Sequence, residues 1–207
     1  MANNINQIVD SLNSINQVIE NFRLQREKTE LYDSNRFNPF RFMYTNEIGL
    51  SKILAFLLDP TETHGQGDLF LNSFLKYIGK NNFLAYDSIQ VSVEKKTNKN
   101  RRHDIFIEGF LNNKPRWIIS IENKLRFASD QIEQLKDYRA DLERKNIDEY
   151  CLIYLPVFRN NPTETSISKD EWDNLISDKK AIVLSADDLV NWLDNTLIIS
   201  PVINQFC

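Results

Sequence analysis

Apolar residues at Ile5, Ile8, Leu12, Ile15, Ile19 and Phe22 step by three, four, three, four and three positions, the seam of a heptad-patterned helix. Polar residues fill most of the intervening positions, so the stripe is narrow. Such a helix either lies on its own domain or pairs with a second copy as a dimerisation helix, and three heptads do not decide between them. It defines an N-terminal amphipathic segment over residues 1–32, ahead of a main domain over 33–207. An aromatic-rich link, DSNRFNPFRFMY (33–44), leads into IGLSKILAFLLDP, where Asn46 caps a helix that turns Ile48, Ile53, Leu54, Leu57 and Leu58 inward and stops before Pro60. A second helix, capped by Asp68, follows the TETHGQG loop.

The pattern then changes to strand runs: Ile89–Lys96, His103–Glu108 and Trp117–Lys124. A polar turn at Lys99-Asn100 joins the first two, and Leu111–Pro115 joins the second to the third. A long amphipathic helix is predicted from about Ser129 to Lys145, with Ile132, Leu135, Tyr138 and Leu142 on one stripe. A strand at Tyr150–Pro156, a small helix near Asp170–Ser177, a strand at Ala181–Ser185 and a helix at Asp187–Asn195 complete the chain. This order predicts a three-layer α/β domain around a mixed sheet of four or more strands, the long helix crossing over from the third strand to the fourth.

Composition narrows the class. With 13 Phe, 7 Tyr and 3 Trp against 5 Gly and 6 Pro in 207 residues, the sequence is neither disordered nor linker-like. No apolar run reaches the roughly 20 residues that span a bilayer, and MANNINQIVDSLNS carries neither the basic nor the apolar part of a secretory signal. Cys151 and Cys207 are too few for a disulfide framework or a zinc site. The chain therefore reads as cytoplasmic, with no membrane partner. Its formal net charge of −4 argues against coating nucleic acid by bulk charge but leaves room for a local basic patch.

One constellation carries chemistry. Glu122 and Lys124 stand two apart on an apolar strand and so share a face of the sheet. Antiparallel pairing with the preceding strand brings Asp104 beside Glu122. Two close carboxylates repel unless a cation lies between them, and oxygen-only ligands suit Mg²⁺ or Mn²⁺. Lys124 would then orient the attacking water or offset developing charge.

Asp104, seventeen intervening residues and Glu122-Asn123-Lys124 resemble the catalytic signature of the PD-(D/E)XK nuclease superfamily. Glu47 before SKILAFLLDP, the HGQGDLFLNSFL stretch, RRHDIFI, IISIENK and QIEQLKDY (131–138) follow the order of a prokaryotic branch of that superfamily. The similarity covers roughly Phe37 to Pro156, and His103 stands where the signature has proline. The resemblance implies a restriction-endonuclease-like core. It also implies that Asp104, Glu122, the main-chain carbonyl of Asn123 and Glu47 bind the metal, that Lys124 assists the water, and that Gln134 and Tyr138 hold metal-bound water or phosphate. The implied function is a Mg²⁺- or Mn²⁺-dependent nuclease acting on DNA more than RNA, in a setting such as defence against phage, with an activating protein partner in view. A catalytically silent binding module of the same fold and an RNA-directed nuclease are the alternatives.

Each residue also has a plainer reading. Asp104 suits a strand-end turn, Glu47 the first turn of a helix, Tyr138 the core, and Glu122 with Lys124 a same-face ion pair. A second triplet, Glu94-Lys95-Lys96 with Asp87 upstream, also reads E-x-K but lies on the first strand. His64 fits a capping or packing group better than a substrate contact. The run Lys95, Lys96, Lys99, Arg101 and Arg102 abuts Asp104, which makes it a candidate for positioning phosphates as well as a solvated hairpin tip. No base-reading element is visible, so sequence specificity is not expected.

Overall fold

The computed structural model describes residues 12–25, 46–147 and 149–198. The chain divides into two compact units, of which 43–199 holds the sheet, and the helical segment 12–25 belongs to the other. In that segment Leu12, Ile15, Ile19 and Phe22 are each more than half exposed. Ile5 and Ile8 of the seam, the aromatic link 33–44, the junction at 32/33 and Cys207 lie outside the described residues.

Helices α1 (Glu47–Leu58) and α2 (Leu69–Tyr77) precede strands β1 (Ser88–Lys96), β2 (Arg102–Leu111) and β3 (Lys114–Lys124), which form an antiparallel meander. Helix α3 (Gln134–Arg144) crosses over to β4 (Glu149–Pro156), and α4 (Lys169–Ser177) leads to β5 (Ala181–Val183); both strands add in parallel. Helix α5 (Ala186–Asp194) follows, started by a Ser185–Asp188 capping box. The result is the expected mixed α/β sheet, with five strands among the described residues in the order β1-β2-β3-β4-β5.

Strand β3 is buried on both faces from Trp117 to Lys124, as its continuous apolar run dictates. On one face Phe106, Ile118, Leu152 and Tyr154 meet Leu135, Tyr138 and Leu142 of α3 and Trp172 and Leu175 of α4. On the other, Trp117 stacks on Phe83 at 4.9 Å and lies so close over β2 that a Cβ at Gly109 would sit 2.1 Å from its ring. Helix α1 packs against β1, β2 and β3. The β2–β3 connection is tighter than the Leu111–Pro115 stretch read from sequence. Asn112 and Asn113, at φ 52° and 60°, form a two-residue turn whose twist matches the strands.

Three local expectations need correction. Helix α3 begins at Gln134 rather than near Ser129, because Glu133 is left-handed (φ 55°) and its amide donates to the Thr165 carbonyl at 2.7 Å. That diverts the preceding loop toward 163–166 and leaves Ile132 74% exposed, off the predicted stripe. Ile48 is exposed too, while Leu54, Leu57 and Leu58 do face inward. Asp68 occupies the N-cap of α2 but makes no side-chain capping bond, whereas Asn46 accepts from the Gly49 amide at 2.9 Å.

Candidate active site

The β2–β3 register pairs Ile105 with Ile121, so the next step along both strands sets Asp104 opposite Glu122. Asp104 Oδ2 accepts the Asn123 amide at 2.7 Å. Lys124 shares the Glu122 face: its Nζ lies 2.7 Å from Glu122 Oε1 and donates to Gln134 Oε1 at 3.3 Å and the Ser129 carbonyl at 3.4 Å. Gln134 Nε2 donates to the Tyr138 hydroxyl at 3.2 Å, and that hydroxyl donates to the Arg102 carbonyl. Gln134 and Tyr138, four apart on α3, thus run from the lysine back to the strand that carries Asp104. Asn123 points the other way, where its side-chain amide donates to the Glu47 carbonyl at 3.1 Å and Ser51 Oγ at 3.0 Å. This bond pins the first turn of α1, and Glu47 with it, to the strand.

The margin is electrostatically unsettled. Glu122 is 1% exposed and Lys124 6%. Burial first, then the neighbouring Asp104, pushes the Glu122 carboxyl up to about 8 against the pull of Lys124. Burial raises Asp104 to about 6 despite the Asn123 amide and Lys124, with Glu47 and Glu94 pushing the same way. Glu47 is raised by burial as well. Burial would lower Lys124, yet Glu122, Glu47 and Asp104 together outweigh it and keep the ammonium protonated. Glu122 Oε2 and Glu47 Oε1 are buried without a hydrogen-bond partner. Among the described residues no three His, Cys, Asp or Glu side chains already converge as a metal cage. The donor set nevertheless fits a hard divalent cation, since both orphaned atoms are carboxylate oxygens and the like-charge crowding is what such an ion relieves.

The basic run is arranged around a different carboxylate. Lys99 Nζ and Arg101 Nε lie 2.5 and 2.6 Å from the two oxygens of Asp137 on α3. Arg102 pairs with Glu94 at 2.9 Å and Lys95 with Glu108 at 3.5 Å, while Lys96 is exposed and has no ion-pair partner among the described residues. Glu94 (φ 57°) borders a cleft of about 710 Å³ together with Asp104, Gln134 and Tyr138, so the second triplet contributes one acid to the rim of the first. Asp87 is elsewhere, accepting the Asn112 amide at 2.6 Å.

Sequence reasoning misses Asp137 and Asp141, although carboxylates four apart beside Gln134 and Tyr138 were the available signal. Asp141 completes a Ser120–His103–Asp141 grouping, at 2.7 Å from Ser120 Oγ to His103 Nδ1 and 3.4 Å from His103 Nε2 to Asp141. It is not a nucleophilic centre. His103 and Ser120 are 0% exposed, and burial pushes the imidazole down to about 4. The group ties β2 and β3 to α3. His64 likewise packs: Nδ1 accepts the Gln66 amide at 3.0 Å, Nε2 meets the Asp59 carbonyl at 2.9 Å, and Phe56 and Phe70 flank the ring. A second cleft, of about 740 Å³, opens at the far end of β4 beside Lys80, Glu149 and Lys180, away from these acids.

A mixed sheet that sets an aspartate against Glu-x-Lys on adjacent antiparallel strands, with a helix returning Gln and Tyr over them, is consistent with a restriction-endonuclease-like α/β fold. The family model of the PD-(D/E)XK nuclease superfamily matches residues 37–205, and the chain belongs to that superfamily. No curated protein and no solved structure matches it. Proteins of the superfamily are nucleases and generally use divalent metals. No described helix is long and apolar enough to cross a membrane.

Proposed function

We propose that the chain is a divalent-metal-dependent nuclease that hydrolyses phosphodiester bonds, in DNA more than RNA. The observation that carries this reading is the buried Glu122 carboxylate, one oxygen held by Lys124 at 2.7 Å and the other without a partner, opposite Asp104. A buried carboxylate crowded by a second one is a donor that a divalent cation would take. Asp104, Glu122, Glu47 and the Asn123 carbonyl would hold Mg²⁺ or Mn²⁺, which when bound supplies a reactive water and charge stabilisation on the phosphoryl oxygens. Lys124, fixed between Glu122 and Gln134, keeps an ammonium at the point where negative charge develops. Tyr138 and Gln134 hold that lysine and the Arg102 backbone in register. Lys95, Lys96, Lys99, Arg101 and Arg102 lie on the approach to Asp104, where phosphates of the strand would bind, Lys96 foremost because the other four already face carboxylates. The proposal extends to a cytoplasmic role in defence against foreign DNA, to pairing of two copies through the N-terminal helix, and to an activating partner.

The test is calorimetric titration of Mn²⁺ beside incubation with single-stranded DNA, duplex DNA and RNA, on the wild type and on Glu122→Gln. Metal binding and cleavage by the wild type, both absent in the variant, support the proposal. Absence of both from the wild type removes it and leaves the silent binding module.

A further inference from the structure

Strands β3 and β4 run parallel, with Lys124 paired to Pro156 at their carboxyl ends. Each chain then projects an aromatic ring into solvent within three residues. Phe127 is 72% exposed and Phe158 64%, and their rings meet at 6.1 Å with planes 54° apart. Two phenylalanines that touch yet leave most of their surface wet are not packing for the sake of the core.

The backbone beneath them is held, not loose. The Phe127 amide donates to the Lys124 carbonyl at 3.1 Å, so the ring is geared directly to the end of the Glu-x-Lys strand. Phe127 itself sits at φ 59°, a left-handed conformation that a bulky side chain adopts at a cost and glycine adopts freely. A chain that keeps phenylalanine there displays a ring at the expense of backbone ease. Asp130 fastens the two loops together, accepting the Tyr154 hydroxyl at 2.9 Å and the Thr163 amide at 2.7 Å. The bond from the Glu133 amide to the Thr165 carbonyl closes the same seam. The aromatic pair is therefore preorganised. Arg126, next to Phe127 in the chain, is exposed and cationic, whereas Arg159 is already neutralised by Asp188, so it is Arg126 that makes the surroundings suit a polyanion better than an apolar protein face.

We propose that Phe127 and Phe158 form a stacking platform for unpaired nucleobases of the strand entering the site, which makes single-stranded nucleic acid the substrate class. The inference rests on the nuclease reading of that site. Every base has a π-face, so such a platform needs no sequence code. A duplex, with its bases already stacked, cannot use it.

The experiment is fluorescence anisotropy on the full chain in EDTA, with labelled dT₂₀, rU₂₀, a 20-base-pair duplex and a 20-mer abasic strand. Phe127→Ala and Phe158→Ala are each expected to weaken dT₂₀ or rU₂₀ binding about tenfold, and the double variant about a hundredfold. Duplex and abasic strand should change less than twofold, and comparing dT₂₀ with rU₂₀ shows whether the bases belong to DNA or RNA. Phe127→Trp should keep the affinity of the wild type. Its added indole fluorescence should be quenched by the strand, because the native Trp117, Trp172 and Trp192 are all buried. Unchanged dT₂₀ and rU₂₀ binding in the alanine variants, an equal loss on duplex, or no quenching in Phe127→Trp overturns the platform. If those variants still cleave like the wild type, the nuclease reading stands without it. A wild type that binds none of the four probes and cleaves nothing overturns both.

Discussion

Two carboxylate clusters flank the β1–β2 hairpin, and they are built to opposite ends. On α3, Asp137 is met by Lys99 and Arg101, which hold its pKa below the ordinary range although burial opposes them. Asp141, beside it, faces His103 and the Asn98 amide. At the strand margin, Lys124 pairs with Glu122 and only draws on Asp104 and Glu47 from a distance, the three pKa values rise, and two oxygens stay unpartnered among the described residues. Glu122 is buried like Asp137 and Asp141, while Asp104 and Glu47 are half-buried, so surface exposure alone does not sort the two groups. The supply of cations does. The α3 cluster has its counter-charges built in and serves the fold, whereas the margin cluster is left short of positive charge, which is what the proposed cation would supply.

The sharpest way to break this comparison is Glu122→Gln. If the margin is kept for a ligand, the change should lower cleavage by at least about 100-fold, since even outer partners of metal ligands are worth 10–100-fold. Stability should hold within about 1 kcal/mol, because an amide still accepts from Lys124 and a crowded charge is gone. Cleavage rates and urea melts on the same preparations read both effects. A variant that unfolds readily would place Glu122 with the structural cluster instead.

Titration separates the clusters next. Glu122 at about 8 and Asp104 at about 6 in the folded chain lie above the values of an unfolded one. The folded protein therefore holds protons that the unfolded chain has released, and stability falls as pH rises from about 4 to 8. In chelator the fall should be on the order of 5 kcal/mol, at roughly 1.4 kcal/mol per pKa unit over the rise of Glu122 alone. Mg²⁺ or Mn²⁺ should shrink it at pH 8, and Glu122→Gln should flatten its upper half. Asp137 predicts the opposite sign: with its pKa lowered, its contribution is present above the unfolded value and is lost only as pH falls through the carboxylate range.

Asp137→Ala should do to stability what Glu122→Gln does to activity. It leaves Arg101 and Lys99 without their shared acceptor and loosens the hairpin tip, which still keeps the Asn98–Asp141 and Arg102–Tyr138 bonds to α3. Lys99 is 56% exposed and rehydrates easily, so the expected loss is about 2 kcal/mol rather than that of a fully buried pair. Denaturant midpoints measure it.

What the sequence made legible follows the same division. The strands, their order and the Asp104–Glu122–Lys124 grouping came through because period-two patterning and same-face spacing are local properties, and pairing needed only a short hairpin. The start of α3 did not, because the amphipathic pattern continues through Ile132 while a long-range bond to Thr165 turns Glu133 left-handed. Asp137 and Asp141 escaped notice for a related reason. A carboxylate on a polar helix face looks solvated until the tertiary fold sets a basic hairpin against it. The orphaned oxygens of Glu122 and Glu47 are likewise a property of packing.

The smallest effect concerns the basic run itself, whose five members read alike in sequence. Each cation that neutralises a phosphate adds about one unit to the slope of log affinity against log salt, less for single strands. A cation already facing a carboxylate gains little by exchanging it for phosphate. Lys96→Gln should therefore lower the slope for DNA binding by nearly one, while Lys99→Gln, whose ammonium lies 2.5 Å from Asp137, should leave the slope almost unchanged and weaken the fold instead. Equal slope losses from the two would mean that the Asp137 latch opens when a strand arrives, and that the hairpin belongs to the binding surface as much as to the scaffold.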